Sequence, residues 1–169
     1  MMSVLSSICN QKGKVTILKI LVFSDSHRSC SGMYQAIDFH KPDQIIHLGD
    51  LMDDAEELTY VYPRIPICMV PGNCDGWTTA PLIKNITLEG RRFLLSHGHM
   101  WGVKSGYGAA IAAARGAGVH VLLFGHTHKP YCEQLEDGLW VMNPGASRAS
   151  YGLITIERNI ISCSILLQE

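Results

Sequence analysis

A chain of 169 residues is sized for one domain with a single core, and 47% hydrophobic against 17% charged residues excludes a disordered polymer. The formal net charge of -1 supplies no basic field for a polynucleotide backbone, so dedicated nucleic-acid binding is not expected. Six cysteines (Cys9, Cys30, Cys68, Cys74, Cys132, Cys163) form no C-x-x-C pair and read as reduced thiols of a cytoplasmic protein.

The opening MMSVLSSICNQKGK carries its lysines after its apolar residues, unlike an export signal, and no later run reaches membrane-spanning length, so no membrane partner is expected. Residues 1–14 show no clear periodicity and read as an N-terminal extension, loose or added as an edge strand, ahead of one domain over 15–169. From Val15, VTILKILVFSDSH is a strand apolar on both faces that ends in polar residues. SGMYQAIDFHKPD has helical spacing through Met33, Ala36 and Ile37 and stops before Pro42. QIIHLGDLMDD is a short strand ending in carboxylates; a helix follows around Ala55 to Tyr62, and IPICMVPGNCDG is a third strand with a polar end. This alternation implies right-handed crossovers and a largely parallel first sheet.

NITLEGRRFLLSHGHM reads as two strands joined at Glu89-Gly90, and the alanine-rich stretch from Ser105 to Ala117 as a helix ended by Gly116 and Gly118. VHVLLFGHTH is again a strand, and YCEQLEDGLWVMNPG a hairpin turning at Asp137-Gly138. YGLITIE and IISCSILL are two strands around Arg158-Asn159. The expected fold is α/β: a two-sheet β-sandwich flanked by helices.

Five strands end in ligand-type residues: Asp25 and His27, Asp50, Asn73, His97 and His99, and His126 and His128. The carboxyl ends of strands in such sheets share one edge, where sites are built. Taken singly each motif also reads as a helix cap, a turn or a strand end; the set in this order does not.

DSH (25–27), GDLMD (49–53), GNCD (72–75), HGH (97–99) and GHTH (125–128) resemble the five ordered signatures of the calcineurin-like metallophosphoesterases, over about Ile20 to Gly145. The short length, the cysteine of GNCD and NPGA at 143–146 are most similar to its small phosphodiesterase branch, often called the YfcE type. The resemblance implies a helix-flanked four-layer sandwich and two divalent metal ions. One ion would take Asp25, His27, Asp50 and His128; the other would take Asp50, Asn73, His97 and His126, with Asp50 bridging. A donor set of oxygen and imidazole without thiolate suits manganese, the first expectation, or iron, zinc, cobalt or nickel. Two ions bring about +4, two aspartates about -2 and a shared hydroxide about -1, leaving roughly +1 to meet a phosphodiester oxyanion.

The expected activity is hydrolysis of a small phosphodiester or nucleotide-like substrate by that hydroxide. Phosphomonoester or nucleotide pyrophosphate hydrolysis is the alternative chemistry. A different class stays open too, because a eukaryotic retromer subunit resembles the same fold and serves as a scaffold. Homo-oligomer formation through sheet edges is also left open. Cys74 stands where many larger relatives place a histidine that protonates the leaving group, so His99 becomes the candidate general acid or substrate contact, with an orienting role as its alternative. Asp75 and Asp53 are expected to support the ligands by hydrogen bonds, with capping of a helix or a turn as the alternative for either. Ala146 replaces the family's usual serine, with Ser147 as its substitute, and Arg148 is a candidate phosphate contact. Trp77, Trp101 and Tyr107 read either as base-stacking residues or as core. His40, His47 and His120 match no motif and read as structural.

Overall fold

The computed structural model describes residues 16–169, so the extension expected at 1–14 lies outside the described residues. The first sheet is built on β1 (Ile17–Phe23), which pairs in parallel with β2 (Gln44–His47), itself parallel to β3 (Ile67–Met69). β9 (Ser150–Glu157) and β10 (Ile160–Leu167) add antiparallel strands on the other side, giving the order β10-β9-β1-β2-β3. The second sheet has the order β4-β5-β6-β8-β7, from β4 (Ile83–Leu88), β5 (Arg91–Ser96), β6 (Val121–Leu123), β7 (Tyr131–Gln134) and β8 (Trp140–Asn143). Its central strands β5, β6 and β8 run parallel.

Period-two alternation explains why the β1 segment is apolar on both faces. Ile20 and Val22 meet Ile46, Phe93, Leu95 and Leu123 between the sheets. Leu21 and Phe23 face outward, onto Met33, Ala36 and Ile37 of α1 (Ser31–His40) and Leu58 of α2 (Met52–Val61). Across the sandwich, Leu94, Leu122 and Val141 are covered by Ala110 and Ala114 of α3 (Gly108–Ala117). The layers are therefore helix, sheet, sheet, helix. Each fully buried branched or aromatic side chain contributes about 1.5–3 kcal/mol.

Both hairpin signals at β4–β5 and β9–β10 hold. Leu88 pairs with Arg91 and Glu157 with Ile160, leaving two-residue loops whose members all have positive φ: Glu89 46°, Gly90 70°, Arg158 48° and Asn159 66°. That is the backbone twist a tight antiparallel turn requires. Two helix starts differ from expectation. α2 begins at Met52 rather than near Ala55, with Asp53 and Asp54 in its first turn, where carboxylates favour the positive end of the helix dipole. α3 begins at Gly108 rather than Ser105, because Gly106 takes φ 145°, a non-helical conformation. A short 3-10 turn, His99–Trp101, follows the H-G-H segment and has no periodicity to announce it.

Candidate metal centre

The strands β1, β2 and β3 of one sheet and β5 and β6 of the other release their chains at one end of the sandwich, and hydrogen bonds stitch those ends together. The Asp25 N–H donates to the Gly49 carbonyl (2.9 Å), and Gly125 N–H to the His97 carbonyl (3.0 Å). Between sheets, the His126 N–H donates to Asp25 Oδ2 (3.0 Å) and His97 Nδ1–H to the Leu48 carbonyl (2.7 Å). Asp25, His27, Asp50, His126 and His128 all adopt positive φ, from 44° to 68°. Non-glycine residues pay about 1 kcal/mol or more for such a conformation, which the surrounding bonds must hold. Two glycines are required by contact. A Cβ on Gly72 would collide with the Asp50 carboxylate, and one on Gly125 with the Ser24 hydroxyl and Asp25 Oδ2.

Two clusters of donor atoms result, each within 4.8 Å internally: Asp25 with His27 and His128, and Asp50 with His97 and His126. Asp25 Oδ1 is buried without a hydrogen-bond partner, 3.1 Å from His128 Nε2 and 3.8 Å from His97 Nε2. Since His97 Nδ1 donates its proton to Leu48, the neutral ring aims the lone pair of Nε2 at Asp50 Oδ2, 3.4 Å away, and at His126 Nδ1, 3.2 Å away. Lone pairs facing lone pairs are repulsive unless a cation or an added proton lies between them. Burial works against the charged form of Asp50, but His97 and the Cys74 N–H outweigh it and hold its carboxyl well below the usual range. Burial likewise opposes the His97 imidazolium, and the hydrogen bond to Asp50 with the charge of Asp25 turns the balance upward. Burial, then His97 and Lys104, push His126 down. A buried orphan oxygen, converging imidazoles and a donor set lacking thiolate fit divalent cations.

The structure thus brings together Asp25, His27, Asp50, His97, His126 and His128. Asn73 stands beside them on the loop after β3, its exposed side chain turned to Cys74 Sγ at 3.5 Å. The His99 ring centroid lies 5.6 Å from that of His97 and 6.1 Å from that of His126; its Nδ1 is buried and unpartnered, and burial followed by His97 lowers its pKa. Arg148 is exposed on the turn between β8 and β9 and makes no ion pair among the described residues. Trp77 is fully exposed, whereas Trp101 and Tyr107 pack against the α3 side of the core.

Asp75 holds the site as expected, accepting from the N–H groups of Asp50 (3.0 Å), Met52 (2.6 Å) and Gly72 (2.5 Å). Asp53 does not: it faces solvent, and Asp54 accepts instead from Ser26 Oγ (2.6 Å) and the Arg28 N–H (2.8 Å). The early start of α2 turns Asp54 inward with Ala55 and Leu58; that shared helical face was the available signal. Asn143 was also missed, although it donates to the Gly125 carbonyl (2.8 Å) and Thr127 Oγ1 (2.9 Å) and so fixes the loop bearing His126 and His128.

Ser147 accepts from the Ser24 N–H (3.2 Å) and donates to the Ser24 carbonyl (2.8 Å), tying β1 to the β8–β9 turn. Ser147→Ala leaves the buried Ser24 N–H without that acceptor. The expected loss is about 1–2 kcal/mol of unfolding free energy, read by urea denaturation.

Helices outside two face-to-face sheets, with carboxylate and imidazole clusters gathered at parallel strand ends, define an α/β sandwich with a candidate divalent-metal centre. Residues 18–158 match the Calcineurin-like phosphoesterase superfamily domain, and the chain belongs to that family. Among its relatives is the probable metallophosphoesterase YsnB of Bacillus subtilis (strain 168), 31% identical over 154 residues, covering 84% of this chain and 86% of that one. Phosphodiesterase YfcE of Escherichia coli (strain K12) is 25% identical over 171 residues, covering 82% and 88%. A predicted phosphoesterase from Streptococcus pneumoniae TIGR4 shares the fold at TM-score 0.72 and 24% identity, over 90% of this chain and 91% of that one. Vacuolar Protein Sorting 29 from Cryptosporidium parvum does so at TM-score 0.71 and 15% identity, over 89% and 97%.

Proposed function

We propose that this protein is a dinuclear metal-dependent phosphodiesterase. Asp25, His27, Asp50 and His128 would hold one ion, and Asp50, Asn73, His97 and His126 the other. The observation that carries the reading is the side-by-side pair of clusters, with the unpartnered oxygen of Asp25 facing His97 and His128. Bound divalent ions supply Lewis acidity and an activated water. The chain supplies the rest. Asp50 would bridge the two ions; its Oδ1 accepts from the Cys74 N–H, and Asp75 fixes its backbone N–H. His97 is fixed in one tautomer by Leu48.

His99 stands beside His97 and His126 where it can meet a substrate oxygen; burial followed by His97 lowers its pKa, which favours the role of substrate contact over that of proton donor. Arg148 and Asn73 complete the phosphate contacts. Manganese is the first metal to try, with iron, zinc, cobalt and nickel beside it. The five described cysteines are all free, which supports a reducing, cytoplasmic setting.

The test compares initial rates on an aryl phosphodiester and the matching monoester under each metal, with metal content measured on the same samples. Faster diester turnover is expected; a monoester preference replaces the reading with phosphomonoesterase, and inactivity with all five metals overturns it. Asn73→Ala is expected to lose one of two ions and roughly 10- to 100-fold in turnover, as for a ligand contributing to transition-state charge stabilisation. The likeness to Vacuolar Protein Sorting 29 favours a second reading, a scaffold without turnover. Protein that binds no metal on titration would make that reading the better one.

A further inference from the structure

Beside the loop that carries His126 and His128 lies a hollow of about 550 Å³ lined by Val103, Lys104, Ser105, Gly106, Tyr107, Thr127 and Lys129. Thr127 sits between the two histidines in sequence and Lys129 directly follows them, so hollow and cluster share one loop. No carboxylate lines the hollow, and among the described residues neither lysine has an acidic partner within ion-pairing distance. In a chain of formal net charge -1, that concentrates two uncompensated ammonium groups beside the centre.

Both lysines stand on anchored backbone. The Lys129 N–H donates to Thr127 Oγ1 (3.2 Å), which also accepts from Asn143 (2.9 Å). Lys104 follows the buried Val103, which fills the space over Gly98. Tyr107, the hydroxyl-bearing wall, packs at a tilt against Phe124 and edge-on against Tyr131, with centroids 4.8 and 4.9 Å away. Lys104 is also within electrostatic reach of His126. A pair of exposed cations on anchored backbone, bordered by hydroxyls and beside a centre suited to one phosphoryl group, is suited to a second phosphoryl group on the same molecule.

We propose that the hollow between Lys104 and Lys129 is a subsite for a second phosphate of the substrate, so that the preferred ester carries a phosphoryl group beyond the one cleaved. The subsite rests on the phosphodiesterase reading for its orientation. It extends that reading from a generic diester to a polyphosphorylated class of substrate.

The test is calorimetric titration of the manganese-loaded protein with methylenediphosphonate, which carries two phosphonates, and with methylphosphonate, which carries one. Lys104→Ala and Lys129→Ala are each expected to weaken methylenediphosphonate binding at least fivefold and methylphosphonate binding less than twofold. The double variant should lose at least twentyfold for the bisphosphonate. Thermal melting and metal content are measured alongside, and both are expected to match wild type because these side chains are exposed. Equal losses for both ligands, or no loss for either, overturn the subsite. A wild-type protein that turns over no aryl diester with any of the five metals refutes the hydrolase reading alone, since the lysine dependence of bisphosphonate binding is read without turnover.

Discussion

Asp50→Asn is expected to abolish retention of the ion pair and to cut aryl-diester turnover on the order of 1000-fold, about 4 kcal/mol of transition-state stabilisation. The substitution is nearly isosteric, so its effect is chemical. In the native side chain Oδ1 accepts from the Cys74 N–H at 2.9 Å and Oδ2 faces His97 Nε2 at 3.4 Å. An asparagine can keep the first contact with its carbonyl, but it then presents an NH2 group at the position of Oδ2. An amide nitrogen has no lone pair to share with a cation, and loss of the negative charge raises the repulsion between two divalent ions. The backbone stays fixed because Asp75, rather than the Asp50 side chain, holds the Asp50 N–H at 3.0 Å. Elemental analysis together with a circular-dichroism melt separates the cases. A variant that keeps two ions per chain and turns over within tenfold of wild type would refute a bridging role for Asp50.

The residues that gather in the two clusters were legible because each closes an apolar strand, and a run such as VLLFGHTH shows both the strand and its polar end locally. The hairpin pairings followed from similar local signals, at the two-residue turns Glu89-Gly90 and Arg158-Asn159; the antiparallel pairing of β1 with β9, which leaves the first sheet only half parallel, and the parallel run β5-β6-β8 did not. What stayed hidden depends on partners far along the chain. Asp25 is held by the N–H of a residue 101 positions away, and Ser24 by a serine 123 positions away. No periodicity carries such information. The choice between Asp53 and Asp54 turned on the start of α2, and a shift of one residue rotates a side chain about 100° around a helix. The same limit applies to Lys104 and Lys129, which read as ordinary surface lysines until the fold sets the 102–107 loop against the 126–129 loop.

His47 matches no motif, and its environment makes it an acid-sensitive element of the fold. It is fully buried. The Gly49 N–H donates to its Nδ1 at 3.2 Å, so that nitrogen must stay unprotonated. Its Nε2 lies 3.1 Å from Ser26 Oγ, and that hydroxyl already gives its proton to Asp54 Oδ2 at 2.6 Å. Nε2 is therefore the donor, and the neutral ring fits where the imidazolium does not. Burial drives its pKa down from 6.5 to about 4, against the opposing pull of Asp54 and other carboxylates. Because the folded pKa is the lower one, the unfolded chain binds more protons between pH 6.5 and about 4. The contribution is complete above the unfolded value and is lost as pH falls through the folded one. Urea unfolding of wild type should lose about 2–3 kcal/mol from this group between about pH 7 and about pH 4.5, beyond whatever the other groups contribute. His47→Gln removes the titration, so the difference between the two proteins isolates it: the wild-type curve should fall more steeply by that amount across the window. Parallel curves would mean that His47 accepts its proton in the folded state as readily as in the unfolded one, which the Gly49 donor and the occupied Ser26 hydroxyl forbid.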